Sequence, residues 1–413
     1  MSSIIGTAPL AGKHSLLKKQ TENLGIAGIA QKQATPDFLI FIFMQIRTWR
    51  NDLFNNVPNT EAVNMNRIDL IRPADKASGC AAKAQWDSIG KPLGSLGLLE
   101  EAIIKIASIQ GTPDVCIDHR TVVVLCADNG VVQEGVTQTD SSVTATCADA
   151  IANGTSSVNQ LAKTFHANVV AVDIGIDGEV NNPKLLQKKV AFGTKNLAVE
   201  AAMSIEECKQ AITIGMDLVR DLQQQGADLL VTGEMGIGNT TTSAALTSVL
   251  LNLPPKEVTG RGAGLDSAGL ARKIQVIERA IALHHPDSNH PLELLAKLGG
   301  LDIAGMVGLF LGGAVYHVPI VMDGVISTVA AAIAFKIHSE AKDYWLPSHV
   351  SEEPAAHLLL EQLQLSPIIH GQLHLGEGTG GVLLLPLLDG ALSVYRHAHR
   401  FEEIAVERYV ELK

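Results

Sequence analysis

The 413-residue sequence predicts an α/β fold built on a mostly parallel sheet. Short runs rich in Val, Ile and Leu, each ending in an acidic or glycine residue, recur along the chain and alternate with helix-like stretches. Strands of a parallel sheet are buried on both faces and therefore read as near-continuous apolar runs. The composition, 46% hydrophobic and 18% charged, allows a large buried core and excludes a wholly disordered chain.

The individual elements follow from the hydrophobic pattern. In the second predicted helix, for example, Leu99, Ile103 and Ile106 form one broad apolar face. Strands are predicted at residues 121–127, 168–172, 228–233 and 319–322. Helices are predicted at residues 75–90, 96–110, 142–165, 204–224, 240–251, 266–284, 302–314 and 326–340.

An acidic residue follows each predicted strand: Asp128, Asp173, Glu234 and Asp323. One such residue is usually a helix cap. Ligands of an open parallel sheet bind beyond the carboxyl ends of its strands. Four acidic residues with glycine close by therefore favour a site, and we expect them to lie on one rim of the sheet.

Residues 1–64 differ from the rest of the chain because they lack regular periodicity. We expect an N-terminal extension that is disordered or loosely docked. Two alternatives stay open: a segment that binds a partner or a membrane surface, and Met65 as the true start. The most apolar run, residues 38–44, is too short to span a bilayer and too deep for a signal peptide.

Charge and cysteine content narrow the function classes. With 32 basic and 43 acidic residues, the net charge of −11 argues against a nucleic-acid partner. The five cysteines include no CxxC pair, so buried free thiols in a reducing, cytoplasmic compartment are expected. His397 and His399 form an HxH pair, but Arg396 and Arg400 would oppose a bound cation, and we assign no metal.

The sharpest local motif is residues 233–242, Gly-Glu-Met-Gly-Ile-Gly-Asn-Thr-Thr-Thr. A strand enters a glycine-rich turn that opens a helix, and backbone N–H groups at such a turn can approach an anion closely. The Gly-Lys-Ser/Thr ending of a Walker A loop is absent. The motif favours a phosphate or nucleoside-phosphate cradle, and the alternative is a tight turn with an Asn or Thr cap.

Two further glycine clusters carry candidate residues. Residues 260–266 precede a helix that Asp266 can cap, and Lys273 on that helix can neutralise a phosphate or simply be solvated. Glu377 lies between glycines before an apolar helix, where burial would raise its pKa and make it a better base. The alternative is an exposed loop glutamate. Asp302 is expected to be the N-cap of its helix.

Seven motifs in order resemble the nicotinate-nucleotide:dimethylbenzimidazole phosphoribosyltransferase family of cobalamin lower-ligand synthesis. They span about residues 70 to 400, and the extension before Met65 has no counterpart. The matching stretches are residues 91–97, 127–130 with 134–137, 233–242, 260–266, 300–304, 322–324 and 375–380.

The resemblance implies a Rossmann-like sheet, a smaller helical domain built from the two ends of the family region, and a homodimer. We expect domains at 1–64 and 65–413, the latter with a helical part at about 65–118 plus C-terminal segments and an α/β core at about 119–345. Glu377 matches the catalytic base and Glu234 the second active-site carboxylate. Positions near the substrates are Gly236, Gly238, Asn239, Thr240, Lys273, Asp323 and Asp128.

The chemistry implied by the family is transfer of phosphoribose from nicotinate mononucleotide to 5,6-dimethylbenzimidazole, with inversion at C1′. Nicotinate leaves as a neutral ring nitrogen, so a single base that removes the acceptor proton is enough, and no metal or redox cofactor is required. Nearby carboxylates, with Glu234 and Asp323 as candidates, favour the oxocarbenium-like transition state. Two alternatives remain: a purine or phenolic acceptor, and a non-catalytic nucleotide-binding paralogue.

One segment departs from the family pattern. Many relatives carry Ser-x-Tyr-Pro-Gln after Glu-Gly-Val, and the aromatic and amide groups help to hold the benzimidazole. Residues 137–141 read Thr-Gln-Thr-Asp-Ser instead. The loss of a stacking ring predicts a less stringent acceptor pocket that still accepts dimethylbenzimidazole.

Overall fold

A six-stranded parallel sheet forms the centre of the fold in the computed structural model, which describes residues 65–410. The predicted extension, residues 1–64, lies outside the described residues. The strands are β1 (Arg120–Ala127), β2 (Ala167–Gly175), β3 (Leu186–Gln187), β4 (Leu229–Met235), β5 (Ile320–Met322) and β6 (Trp345–Pro347).

The spatial order of the strands is β3-β2-β1-β4-β5-β6, with every neighbouring pair parallel. The chain therefore builds one half of the sheet outward from β1 and then returns to β4 to build the other half. The topological switch point lies between β1 and β4, and doubly wound sheets bind their ligands beyond the carboxyl ends of the strands there. A second, two-stranded parallel sheet pairs β7 (His349–Ser351) with β8 (Ile369–Leu373).

Helices cover both faces of the main sheet. They are α1 (Lys76–Ser88), α2 (Leu98–Gln110), α3 (Ser142–Asn153), α4 (Ser157–Thr164), α5 (Ile205–Gln224), α6 (Asn239–Leu251), α7 (Pro255–Val258), α8 (Ser267–His284), α9 (Pro291–Leu298), α10 (Leu301–Tyr316), α11 (Val325–Ile337), α12 (Pro354–Gln362) and α13 (Thr379–His397). Within residues 65–410, no helix is both long enough and apolar enough to cross a membrane.

Burial explains why β1 is the central strand. All eight of its residues are buried, and alternate side chains serve opposite faces. Val122 and Val124 belong to the cluster formed with α1, α2, α3, α4 and α13. Leu125 faces α10, where a Cβ at Gly305 would lie 2.8 Å from a Leu125 methyl. The near-continuous apolar run predicted for this strand is therefore what a two-sided core requires.

The two ends of the described chain pack together. The Trp86 and Tyr395 rings lie 5.1 Å apart, and Ile89 forms an isolated bridge with Arg400. Arg120 donates to Asp389 on α13. The ring contact and the bridge join the region of α1 to that of α13, and the Arg120 contact joins β1 to α13. The predicted division of residues 65–413 into a helical part and an α/β core stays a prediction.

The predicted fold class is confirmed, and its errors have local causes. The predicted helix 142–165 is two helices, because Gly154 adopts a left-handed φ of 81° and ends α3. The strands β3, β6, β7 and β8 were not predicted. Three of them are only two or three residues long, too short to establish a period.

Candidate active site

The carboxyl ends of β1, β4 and β5 bring predicted acidic residues to one rim. Asp128 follows β1, Glu234 is the penultimate residue of β4, and Asp323 follows β5. All three are buried, with exposed fractions of 2%, 8% and 4%. Asp173 lies inside β2 rather than after it, and its carboxylate pairs with Lys189 at 2.9 Å. The first three residues therefore lie at the rim of the sheet, at and beside the switch point.

Glu234 belongs to a buried polar cluster. The Asn239 side-chain amide donates to Glu234 Oε2 and, at 3.1 Å, to Asp302 Oδ2. Burial, reinforced by the charge of Asp302, raises the pKa of Glu234 to about 8. Burial also raises the pKa of Asp302 to about 6. Because both pKa values are raised, the pair retains a proton to higher pH than two free carboxyl groups would.

The predicted capping role of Asp302 is wrong. Gly300 is the N-cap of α10, and Asp302 lies in the first turn of the helix. Its Oδ1 accepts from the Ile303 backbone N–H at 2.9 Å, and its Oδ2 reaches across to Asn239 on α6. Asp302 is thus a residue of the candidate site that the local sequence pattern did not identify.

The glycine-rich turn between β4 and α6 is packed against the end of β1. A Cβ at Gly236 would lie 2.5 Å from the Ala127 carbonyl oxygen, so only glycine fits there. The Asn129 side chain donates to the Ile237 carbonyl at 3.4 Å, and the Ile237 N–H donates to Thr144 Oγ1 at 3.2 Å. Gly238 then precedes α6 as its N-cap. The turn fixes Asn239 and Thr240 at the start of the helix.

Glu377 lies in a left-handed turn that packs against β4. Gly376, Glu377 and Gly378 have φ values of 85°, 61° and 88°. The turn packs closely on β4, because a Cβ at Gly376 would lie 2.6 Å from Glu234 Oε1. The Glu234 carboxylate therefore lies against the turn that carries Glu377, and the charge of Glu377 contributes to the raised pKa of Glu234.

Asp323 holds this turn from β5. Its Oδ2 accepts from the Gly378 N–H at 3.2 Å, and its Oδ1 accepts from the Gly381 N–H at 3.0 Å. Gly378 is the N-cap of α13 and has no side chain to cap the helix. Asp323 thus supplies the missing cap from another element. Both of its oxygens are occupied by backbone donors.

The Glu377 side chain extends toward α3 and α4. Its Oε2 accepts from the Val158 backbone N–H at 3.5 Å, in the first turn of α4. Burial raises the pKa of Glu377, with a smaller contribution from the charge of Asp323. Burial raises the pKa of the Cys147 thiol on α3, and the charge of Glu377 raises it further. The direction of the Glu377 shift is the one predicted from the sequence.

Lys273 is fully buried, so the alternative of a solvated lysine is wrong. Its Nζ donates to Thr240 Oγ1 at 2.9 Å and to the Gly260 carbonyl at 3.3 Å. Burial lowers the pKa of Lys273 to about 8. The predicted cap of its helix is confirmed, because Asp266 Oδ1 accepts from the Gly269 N–H at 2.7 Å.

Asp128 and the segment 137–141 complete the rim. Asp128 Oδ2 accepts from the Asp177 N–H at 2.8 Å, and burial raises its pKa. Asp128 therefore ties the end of β1 to the loop after β2. In the segment 137–141, Thr137 donates to the Thr139 carbonyl at 2.7 Å, and Gln138 donates to the Gly264 carbonyl. This segment thus contacts the loop that precedes α8.

Residues 348–353 were missed by the sequence reasoning. His349 is 5% exposed and packs against Gly380, and its Nδ1 lies 2.9 Å from Ser348 Oγ. Burial lowers the pKa of His349. Glu353 accepts from the Gly262 N–H at 2.9 Å. Only the density of polar residues between two apolar stretches could have marked this segment.

The fold and the site define a class. A switch-point site with a glycine-rich turn, a buried ammonium group and several buried carboxylates suits an anionic nucleotide substrate. The sequence model of a family described as "Phosphoribosyltransferase" matches residues 71–406, so the chain belongs to that family.

The relatives specify the family further. The nicotinate-nucleotide–dimethylbenzimidazole phosphoribosyltransferase of Acetivibrio thermocellus is 42% identical over 323 residues, covering 78% of this chain and 92% of that protein. The protein of the same name from Ruminiclostridium cellulolyticum is 41% identical over 346 residues, covering 84% and 98%. The crystal structure of CobT from Thermus thermophilus superposes with a TM-score of 0.76 at 40% identity, covering 81% of this chain and all of that one. The resemblance predicted from the motifs is confirmed.

Proposed function

We propose that the protein transfers the 5-phosphoribosyl group from nicotinate mononucleotide to 5,6-dimethylbenzimidazole, giving α-ribazole 5′-phosphate and nicotinate. Family membership and relatives of this name at about 40% identity support the reaction. The observation that carries the mechanism is the packing of the Glu234 carboxylate against the turn that carries Glu377, with both carboxyl groups having raised pKa values.

Glu377 is proposed as the base. One acceptor nitrogen attacks C1′ while the bond from C1′ to nicotinate breaks, and the bond electrons stay on the pyridine nitrogen. The positive charge passes to the acceptor ring, and Glu377 removes the proton from the other ring nitrogen. A raised pKa strengthens the carboxylate as a base. Attack opposite the leaving group inverts C1′.

The carboxyl pair beside Glu377 is proposed to act on the ribose. Negative charge on the pair of Glu234 and Asp302 favours an oxocarbenium-like C1′, and a proton held by the pair can donate a hydrogen bond to the ribose. Asn239 links the two groups and keeps their separation fixed. Asp323 contributes indirectly, since its oxygens are used to hold the Glu377 turn.

The phosphate of the donor is proposed to lie beside Lys273. The ammonium group and the Thr240 hydroxyl are adjacent at the start of α6, next to the glycine turn 236–238. An anion there gains the charge of Lys273 and the positive end of the α6 dipole. Gly236, Gly238 and Asn239 form the surface that the donor phosphate approaches.

Two broader features belong to the same proposal. A reducing, cytoplasmic setting is supported by the five cysteines, all of which are free thiols. The prediction that they are buried holds for Cys126 and Cys208 and is wrong for Cys80, which is exposed. A homodimer is inferred from the family resemblance, and its direct test is the mass of the protein in solution.

Turnover is the decisive test. The protein is incubated with nicotinate mononucleotide and, separately, with dimethylbenzimidazole, adenine and a phenol, and the products are identified by mass. An α-ribazole 5′-phosphate product with stoichiometric nicotinate supports the proposal. Glu377→Gln serves as the matched control, and a product formed equally well by that variant would contradict the assigned base.

A further inference from the structure

The segment 260–262 lies between two charged side chains from distant parts of the chain. On one face, the Gly260 carbonyl oxygen accepts a hydrogen bond from the Lys273 ammonium group. On the same face, a Cβ at Gly262 would lie 2.8 Å from Thr240 Oγ1 and 3.5 Å from Lys273 Nζ. This segment therefore forms a cover over the group proposed to bind phosphate.

Glu353 lies against the other face of the cover. Its Oε1 accepts from the Gly262 N–H at 2.9 Å, and a Cβ at Gly260 would overlap its carboxylate. Glu353 immediately precedes α12 and is the N-cap residue of that helix. A carboxylate thus holds the cover in place from an element 91 residues away in sequence.

The hydrogen-bond partners of Lys273 are both uncharged, a hydroxyl and a carbonyl. Within residues 65–410, the charge that acts on its ammonium group is that of Glu353, which favours the protonated form. The neighbouring arginines are engaged elsewhere: Arg272 donates to the Gly135 carbonyl and Arg261 to the Leu265 carbonyl. A buried ammonium without such a charge would lose its proton more readily.

We propose that Glu353 is a positioning residue for the donor phosphate, holding the segment 260–262 over Lys273 and keeping the Lys273 ammonium charged. The inference rests on the proposed phosphoribosyl transfer and assigns this residue a role in donor binding rather than in the chemical step. Glu353 does not touch the reacting atoms, and it acts through Lys273 and the cover.

Two substitutions separate the two parts of this role. Glu353→Gln keeps an oxygen that can accept from the Gly262 N–H but removes the charge. Glu353→Ala removes both. Glu361→Gln, the same chemical change at an exposed position on α12, is the matched control. Thermal melting and circular dichroism establish that each variant is folded.

The measurement is kcat/KM for nicotinate mononucleotide from pH 6 to 9, with kcat determined separately and the donor's Kd by calorimetry. In wild type, Lys273 loses its charge as the pH rises through about 8, so donor binding weakens on the alkaline side. Without the Glu353 charge the pKa of Lys273 falls, and the weakening starts at lower pH. We expect Glu353→Gln to raise KM about 5- to 10-fold at pH 8, with much less change at pH 6 and little change in kcat. Glu353→Ala should raise KM at every pH.

Lys273→Arg supplies a measurement that depends on no change at Glu353. Because arginine stays charged throughout this range, the alkaline rise in KM should disappear, which separates Lys273 from the titration of Glu234. If Glu353→Gln follows the wild-type and Glu361→Gln pH profiles, or if only its melting temperature falls, the positioning role is wrong. If wild type neither binds nor turns over the donor, the proposed function itself fails.

Discussion

Replacing Asp323 by Asn isolates the contact that holds the Glu377 turn. The carboxylate accepts two backbone hydrogen bonds, at 3.2 Å from Gly378 and 3.0 Å from Gly381. Asparagine keeps one acceptor oxygen and places an NH₂ group against the other N–H donor. One charge-assisted bond is lost, at about 2 kcal/mol. If that energy is expressed as misplacement of Glu377, kcat falls about 30-fold.

The assay is single-turnover kinetics with saturating donor and acceptor. In separate steady-state assays we expect KM for nicotinate mononucleotide to stay within about twofold, because the proposed phosphate contacts lie on α6 and α8. Asp389→Asn is the stability control. Asp389 lies on the same helix, α13, away from the turn, and its substitution weakens the ion pair that it forms with Arg120 of β1. If Asp323→Asn lowers the melting temperature as the control does while kcat is unchanged, the positioning argument is refuted.

Four further outcomes are expected. Glu377→Gln should fold, bind the donor and lose about 10²- to 10⁴-fold in kcat. In wild type the rate should rise with pH as the Glu377 carboxyl deprotonates, and single-turnover pH profiles should show that the variant lacks this rise. Lys273→Ala should raise KM for the nucleotide more than it lowers kcat, and an unchanged KM would remove Lys273 from the site. A chain that starts at Met65 should keep its fold and turnover, as judged by circular dichroism and rate; an inactive or insoluble product would place residues 1–64 in the core. Competition between dimethylbenzimidazole and benzimidazole should show weak preference, and sharp discrimination would contradict the prediction from residues 137–141.

Much of the fold could be predicted because its main strands are long apolar runs. In β1, for example, every residue is buried, so the sequence pattern and the packing coincide. The predictions failed where a single backbone conformation decides the structure, as at Gly154 between α3 and α4. They also failed at β6, whose three residues depend on pairing with β5 rather than on any local signal.

The site was predictable where glycine surrounds a functional group and was missed where the contact is long-range. Glu377 and Glu234 stood out between glycines. Asp302 resembled an ordinary helix cap, and nothing local indicated its contact with Asn239, 63 residues away. Lys273 was ambiguous because its position on a helix does not determine burial. Its environment depends on the segment 260–262 and on Glu353, which the sequence does not place nearby.

The left-handed turn at Glu377 also sets a conflict between durability and activity. A non-glycine residue at a φ of 61° costs roughly 1–2 kcal/mol of conformational energy, and the half-buried carboxyl adds a cost of desolvation. Glycine or asparagine adopts this conformation more readily. Selection for heat resistance alone would therefore favour Glu377→Gly, giving a protein that melts at higher temperature and lacks the carboxylate proposed to remove the acceptor proton. The glutamate at this position opposes the conformational preference of the backbone, as expected where strain is retained for function.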